Sequence, residues 1–358
     1  MKIINRYLLK EFFGLFFLSL LAFLMIYVVI DFFGKIDKFL RAGASLGVAV
    51  SYFLYQTPFI IQQMIPIAVL ISVMLMLGIM NKNNEILALK SSGLSLFNVA
   101  YPLIVVSLII GASSFFLSES FVPITSAKAN DIWNKKIEKG HSQGTYTLSH
   151  LWYKGKHSIY RIRTYDRRTR TIEGLSIFFF DKDFNLRRRI DAKKATWTEQ
   201  GWLLSKGLIQ EIHPDGSRRS TQVTSRLAYL PETPENFERA MKSLEEMSFW
   251  ELRDYTEKIR QEGYDATRSE VELNTKMAFP LISVVLTLVG IPLAFKKRKG
   301  GIPLSITLAI GISFLYLLAF GLSRSLALSG VLPPLLGAWL ANLLFLPFGI
   351  YLMLKTET

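Results

Sequence analysis

Phe12-Phe-Gly-Leu-Phe-Phe-Leu-Ser-Leu-Leu-Ala-Phe-Leu-Met-Ile-Tyr-Val-Val-Ile30 runs for 19 residues between Glu11 and Asp31 without an Asp, Glu, Lys or Arg. Five more charge-free stretches follow, between Arg41 and Lys82, Lys90 and Glu119, Lys276 and Lys296, Lys299 and Arg324, and Arg324 and Lys355. A bilayer core roughly 30 Å thick needs about 20 apolar residues as a helix. Backbone polar groups in lipid must be satisfied within the segment, so each stretch reads as a membrane-spanning helix. Six such runs cannot all hide in the core of one soluble domain. The expected spans are about 12–33, 52–80, 96–121, 277–295, 302–323 and 333–354, with Pro58 and Pro66 expected to bend the second.

Lys2, Arg6 and Lys10 before the first run imitate a signal peptide. The run is too long for an h-region and no A-x-A-like site follows, so it reads as a retained first helix. Half of the 358 residues are hydrophobic, 20% are charged and none is cysteine, which excludes disulfides and thiolate metal sites. The net charge of +14 is not a nucleic-acid signature. The insert 122–272 holds 27 basic and 22 acidic residues; the other 15 basic and 6 acidic ones flank the helices. Lys82 and Lys90, the cluster Lys296 to Lys299, the N-terminal cations and Lys355 all fall on one side of six spans. The positive-inside rule makes that side the cytoplasm, which puts both termini inside and the insert outside.

The organisation is therefore 1–121 (three helices, with a short helical segment near 82–93), an inserted domain 122–272, and 273–358 (three more helices). The insert opens with a polar helix at about 123–139. Short β-type runs follow at 158–163, 175–180, 186–195, 202–204, 208–212 and 222–229, parted by turn clusters such as Pro214-Asp-Gly216. That rhythm predicts an all-β sandwich or jellyroll-like domain. Ser248 with Glu251 three residues on predicts a capping box opening a helix to Gln261.

No P-loop, H-E-x-x-H or G-x-S-x-G motif occurs, so the chain reads as neither an ATPase nor a hydrolase. His141, His150, His157 and His213 are scattered through the insert and read as surface or structural residues. The spans hold almost no ionisable groups, which argues against ion coupling through buried carboxylates. A cavity lined by Phe, Leu, Ile and Met suits acyl chains instead.

Three features stand out. Glu85 to Ser91 suits a short helix closed by Gly93, with Glu85 in its first turn and Ile86, Leu87 and Leu89 apolar on the cytoplasmic side. It reads equally as a docking helix for a soluble partner and as a loop hugging the interface. Lys35, Lys38 and Arg41 recur at i, i+3 and i+6 past the outer end of the first span and could grip phosphates. Snorkelling cations are the alternative. Gly311, Ser313, Gly321 and Ser323 in the fifth span permit close packing, or a seam that opens.

With Arg6-Tyr7-Leu8, Asn84-Glu-Ile-Leu-Ala-Leu-Lys-Ser-Ser-Gly93, Phe279-Pro280, Gly290-Ile-Pro292 and Gly330-Val-Leu-Pro-Pro334, the whole chain resembles the permease family of the lipopolysaccharide export (Lpt) ABC transporter. That family has two related members in each transporter, F and G. Gly311-Ile-Ser-Phe314, the region through Pro334 and the stripe Lys35 to Arg41 are more similar to G. The resemblance implies a multi-pass inner-membrane protein of a Gram-negative bacterium with a periplasmic β-jellyroll. It would pair with its homologue (F, if this is G) on a dimeric cytoplasmic ATPase, the B component of the system. ATP and Mg would be bound there, leaving this chain without a cofactor. Glu85, Ile86 and Leu89 would couple to that ATPase. Lys35, Lys38 and Arg41 would contact lipopolysaccharide phosphates. Gly311, Phe314 and Leu315 would lie at the lateral gate between helix 1 of one permease and helix 5 of the other. The β domain would pass lipid to the periplasmic jellyroll partners C and A. The alternatives are an exporter of lipoproteins or peptides, and a non-transporting scaffold or sensor.

Overall fold

The computed structural model describes residues 2–93, 95–137, 151–154, 158–166, 169–181, 185–212, 217–228, 230, 232–234, 244–261, 265–295 and 301–356. The four histidines, the cluster 296–299 and the turn 214–216 lie outside these. The helices are α1 (Lys2–Arg41), α2 (Leu46–Lys82), α3 (Glu85–Ser91), α4 (Leu96–Ser120), α5 (Val122–Lys136), α6 (Phe249–Gln261), α7 (Thr267–Ala278), α8 (Ile282–Phe295), α9 (Gly301–Leu328) and α10 (Pro334–Thr356). Six segments are long and apolar enough to cross a membrane: α1, α2, α4, α7 continuing into α8, α9 and α10. Between α5 and α6 lies an antiparallel sheet. The chain is a helical membrane protein with an inserted β domain. It divides into two compact units, one of Met1–Ile36, Phe53–Lys128 and Leu244–Thr358, the other of Asp37–Tyr52 and Ala129–Ser243.

In the first unit α2 and α8 form the centre, with Val69, Leu70, Met74, Leu77, Leu286 and Ile291 fully or almost fully buried. α1 contributes Leu8, Phe12 and Phe16, four residues apart and so on one helix face. Most of the remaining surface of α1 and α9 is exposed apolar side chain. In lipid there is no hydrophobic drive to bury it, so exposure there carries no penalty. α2 runs unbroken through Pro58 and Pro66.

The fourth span is interrupted. Pro280 has no N–H to donate and its ring clashes with the preceding turn, so Phe279–Leu281 tightens into a 3-10 turn between α7 and α8. Ile282 N–H then bonds to Phe279 O, and the Ala278 carbonyl is taken by Asn342 Nδ2 at 3.0 Å. Asn342 Oδ1 accepts the Tyr316 hydroxyl at 2.7 Å, and all three groups are buried. One asparagine thus ties the break to α9 and α10. α4 passes close to the same turn at Gly111, where a Cβ would overlap Pro280 O. Midway along α7, Glu272 pairs with Arg324 of α9.

α6 opens on the expected capping box. Glu251 N–H donates to Ser248 Oγ and Ser248 N–H to Glu251 Oε2, both at 3.2 Å. Glu119, at the end of α4, accepts Phe249 N–H at 2.7 and 2.8 Å and so supplies a second cap.

In the second unit the strands are β1 (Leu151–Lys154), β2 (Ser158–Asp166), β3 (Thr171–Phe180), β4 (Leu186–Thr198), β5 (Gly201–Ile212) and β6 (Arg218–Ala228). They pair antiparallel in the order β1-β2-β3-β4-β5-β6, with no Greek-key crossing among the described residues. The separate strands expected at 202–204 and 208–212 are one. Between them Lys206 takes a left-handed conformation (φ 52°) and the pairing resumes beyond it. One face carries the core of Tyr160, Ile162, Ile177, Ile190, Trp202 and Leu204. Glu232, after β6, crosses this face. It accepts Trp202 Nε1–H on its backbone oxygen at 2.8 Å and the Tyr160 hydroxyl on its carboxylate.

Candidate functional site

α3 forms over the residues its spacing predicts. Asn84 precedes it in the left-handed region (φ 60°), and Gly93 follows it at φ 80°. Ile86 is 3% exposed and belongs to the core built by α2 and α8. The pitch of the helix turns Ile86 inward, where it roots α3. Leu89 is half-buried against the same core, and Leu87, at 58% exposure, is the apolar side chain that faces out. Lys90 Nζ stands 4.8 Å from the Phe295 ring centroid, and Asn81 Nδ2 reaches Ala294 O at 3.4 Å. A groove of about 460 Å³ opens beside α3, lined by Leu87, Lys90, Pro292 and Lys355 among others.

Glu85 is half-buried and held on both oxygens. Tyr7 donates to Oε2 at 2.9 Å and Asn83 Nδ2 to Oε1 at 3.1 Å. The sequence alone assigns Tyr7 no role. Its position in Arg6-Tyr7-Leu8 is the signal available, and nothing in that motif points to a residue 78 positions away.

Lys35, Lys38 and Arg41 all lie on α1, which continues past the apolar run. Their electrostatics differ. Lys35 is half-buried and paired with Asp31 at 2.6 Å, one turn back. Lys38 is exposed, with Nζ 5.3 Å from the Trp133 centroid. Trp133 packs edge-on against Phe39 at 5.8 Å and tilted against Tyr52 at 5.4 Å. Arg41 is exposed and has no ion-pair partner among the described residues. Lys38 and Arg41 therefore present their charge outward, while that of Lys35 is compensated.

Gly311, Phe314 and Leu315 share the outward side of α9. Phe314 and Leu315 are 63% and 59% exposed, and a Cβ at Gly311 would meet nothing within 4 Å. Ala309, Ser313 and Tyr316 occupy the opposite, buried side. Ser313 thus belongs to the packing face and Gly311 to the open one.

Sequence relatives match nearly the whole chain. The chain is 23% identical over 369 residues to "Lipopolysaccharide export system permease protein LptG" of Escherichia coli (strain K12), covering 99% of this chain and 98% of that protein. It is 22% identical over 360 residues to the protein of the same name from Haemophilus influenzae, with 96% of each covered. The family described as "Lipopolysaccharide export system permease LptF/LptG" matches residues 6–355. With the match running from the start of α1 to the end of α10, this chain belongs to the LptF/LptG lipopolysaccharide export permease family.

Proposed function

We propose that the protein is a transmembrane subunit, of the G type, of an ATP-driven transporter. It takes lipopolysaccharide from the outer leaflet of the inner membrane and passes it into the periplasm. The observation that carries this reading is the contrast between a buried α2–α8 centre and the open apolar faces of α1 and α9, within a chain of this family. Two such faces, set against a homologous permease, would enclose a chamber that matches acyl chains. Lys38 and Arg41 at the end of α1 would meet the lipid's phosphates. Lys35 would join them on release from Asp31.

Energy comes from a separate cytoplasmic ATPase dimer. α3 is its docking element, with Glu85 and Leu87 as contacts and Ile86 as the anchor that carries a push on α3 into the α2–α8 core. The β domain lies in the periplasm and hands lipid to further periplasmic proteins. The positive-inside arrangement of the loops supports this orientation.

The test has three readouts. Depletion of the chain makes lipopolysaccharide accumulate in the inner membrane. Co-purification with the candidate ATPase gives a complex whose hydrolysis Glu85→Ala uncouples or whose assembly it weakens. A photocrosslinker at Lys38 or Arg41 captures lipid during turnover. Export unchanged on depletion would refute the transport reading, and an intact, coupled Glu85→Ala complex would remove that residue from it.

A further inference from the structure

The sheet of the inserted domain carries a transverse line at which the ladder is interrupted on strand after strand. β2 and β3 pair at Ile162↔Leu175 and Thr164↔Glu173 but skip Arg163 and Gly174 between them. β3 and β4 pair at Glu173↔Lys194 and Leu175↔Ala192 but skip Gly174 and Lys193. β4 and β5 skip Lys193 and Lys206, and β5 and β6 skip Lys206 and Thr224. The five skipped residues stand side by side across five strands. Two of them take positive φ, Gly174 at 67° and Lys206 at 52°, which turns the chain out of the extended conformation. At Gly174 a Cβ would come within 2.8 Å of Arg163 Cβ, so only glycine fits there.

On the face opposite the apolar core, this crease opens a groove of about 760 Å³, lined by Arg163, Lys193, Lys206, Gln222 and Thr224 among others. That lies within the range of roughly 300–1,000 Å³ of small-molecule sites. Arg163, Lys193 and Lys206 are exposed and have no ion-pair partner among the described residues. The acid in the groove, Asp191, is already held by Arg189 Nε at 2.8 Å and Ser176 Oγ at 2.7 Å. The balance left over is positive. With strands about 4.8 Å apart, Arg163 on β2 stands about 10 Å from Lys193 on β4, and Lys206 one strand further. One phosphate cannot span that distance, whereas a sugar chain bearing two can, with Gln222 and Thr224 as hydroxyl partners.

We infer that this groove binds a phosphorylated saccharide. The choice of a saccharide rests on the lipopolysaccharide reading above; the anion preference rests on the groove alone. The ligand is either the headgroup of a lipid or a free glycan phosphate.

The test uses the full chain in neutral detergent. Two probes are titrated by fluorescence polarisation, an acyl-free glucosamine disaccharide with two phosphates and its acylated form. Inorganic phosphate and the unphosphorylated disaccharide serve as competitors. The groove variant is Arg163→Gln/Lys193→Gln/Lys206→Asn, with asparagine at 206 because it tolerates positive φ. The control removes three exposed cations elsewhere, Arg219→Gln/Arg253→Gln/Arg268→Gln. Loss of two or three charge-assisted contacts should weaken the acyl-free probe on the order of tenfold or more in the groove variant, with little change in the control. A comparable loss for the acylated probe assigns a lipid headgroup, and loss confined to the acyl-free probe assigns a free glycan. Equal loss in the control, no binding of either probe, or competition by inorganic phosphate or the neutral sugar as strong as by the diphosphorylated form overturns the inference. Lipopolysaccharide accumulating on depletion of the chain, with no loss of probe binding in the groove variant, overturns this inference and leaves the export reading standing; groove-dependent binding with export unchanged on depletion does the reverse.

Discussion

Replacing Asn342 by leucine keeps the branched side-chain shape and heavy-atom count and removes both hydrogen bonds that bind the α7–α8 break to α9 and α10. The Tyr316 hydroxyl and the Ala278 carbonyl, both buried, lose their partner. Hydrogen bonds between membrane helices contribute about 0.6 kcal/mol on average and at most about 1.7. Asn342→Leu should therefore cost about 1–3 kcal/mol, and Tyr316→Phe, which breaks one bond, about 0.6–1.7 kcal/mol. In the double variant the shared bond can be lost only once. The cycle should show a coupling energy of about 0.6–1.7 kcal/mol, and the double variant should be hardly less stable than Asn342→Leu alone. Denaturant unfolding of the four proteins in mixed micelles gives these numbers. Additivity within about 0.3 kcal/mol would mean that the two side chains are neighbours without an energetic link, and the asparagine would lose its place as the tie among three helices.

Gly111→Val should lower stability by about 1–3 kcal/mol, because a Cβ there overlaps Pro280 O; a thermal midpoint equal to that of the parent would contradict the close approach. Arg324→Ala leaves Glu272, whose side chain is 14% exposed, without its cation, at a cost of about 1–3 kcal/mol. Adding Glu272→Gln should recover part of that loss, and no recovery would show that the charge was not the cause. Ser248→Ala should cost about 1 kcal/mol and speed amide exchange in the first turn of α6. The second cap from Glu119 should keep the rest of the helix protected, so exchange spreading along all of α6 would argue against it.

Hydropathy locates the part of a helix that lies in lipid and is blind to its polar ends. The first span reads as 12–33 from the charge gap, yet α1 runs from Lys2 to Arg41, since i, i+4 pairs such as Asp31–Lys35 carry it onward. The polar α7 escapes detection for the same reason, its charges hiding a helix that feeds into the fourth span. Local chemistry is easier to read. The bounds of α3 and the Ser248–Glu251 box follow from residues within one turn of each other. β5 shows the limit of turn signals, because a single left-handed lysine is absorbed by a strand paired on both sides. Of the site, the residue types are legible and their partners are not. Tyr7 with Glu85, Lys38 with Trp133 and Tyr316 with Asn342 meet through tertiary packing, which leaves no periodic trace. The burial of Ile86 has the same origin, since the core of the long apolar helices reaches onto α3.

The fit of Gly111 against the Pro280 carbonyl also bears on how this lineage can drift. A descendant that exchanged Pro280 for a helix-continuing residue would straighten the fourth span and withdraw the oxygen that forbids a side chain at 111. A descendant that enlarged 111 first would be folding-impaired until the proline went. The two positions should therefore be inherited as a couple, changing together or staying fixed, even where the chains around them have diverged almost beyond recognition.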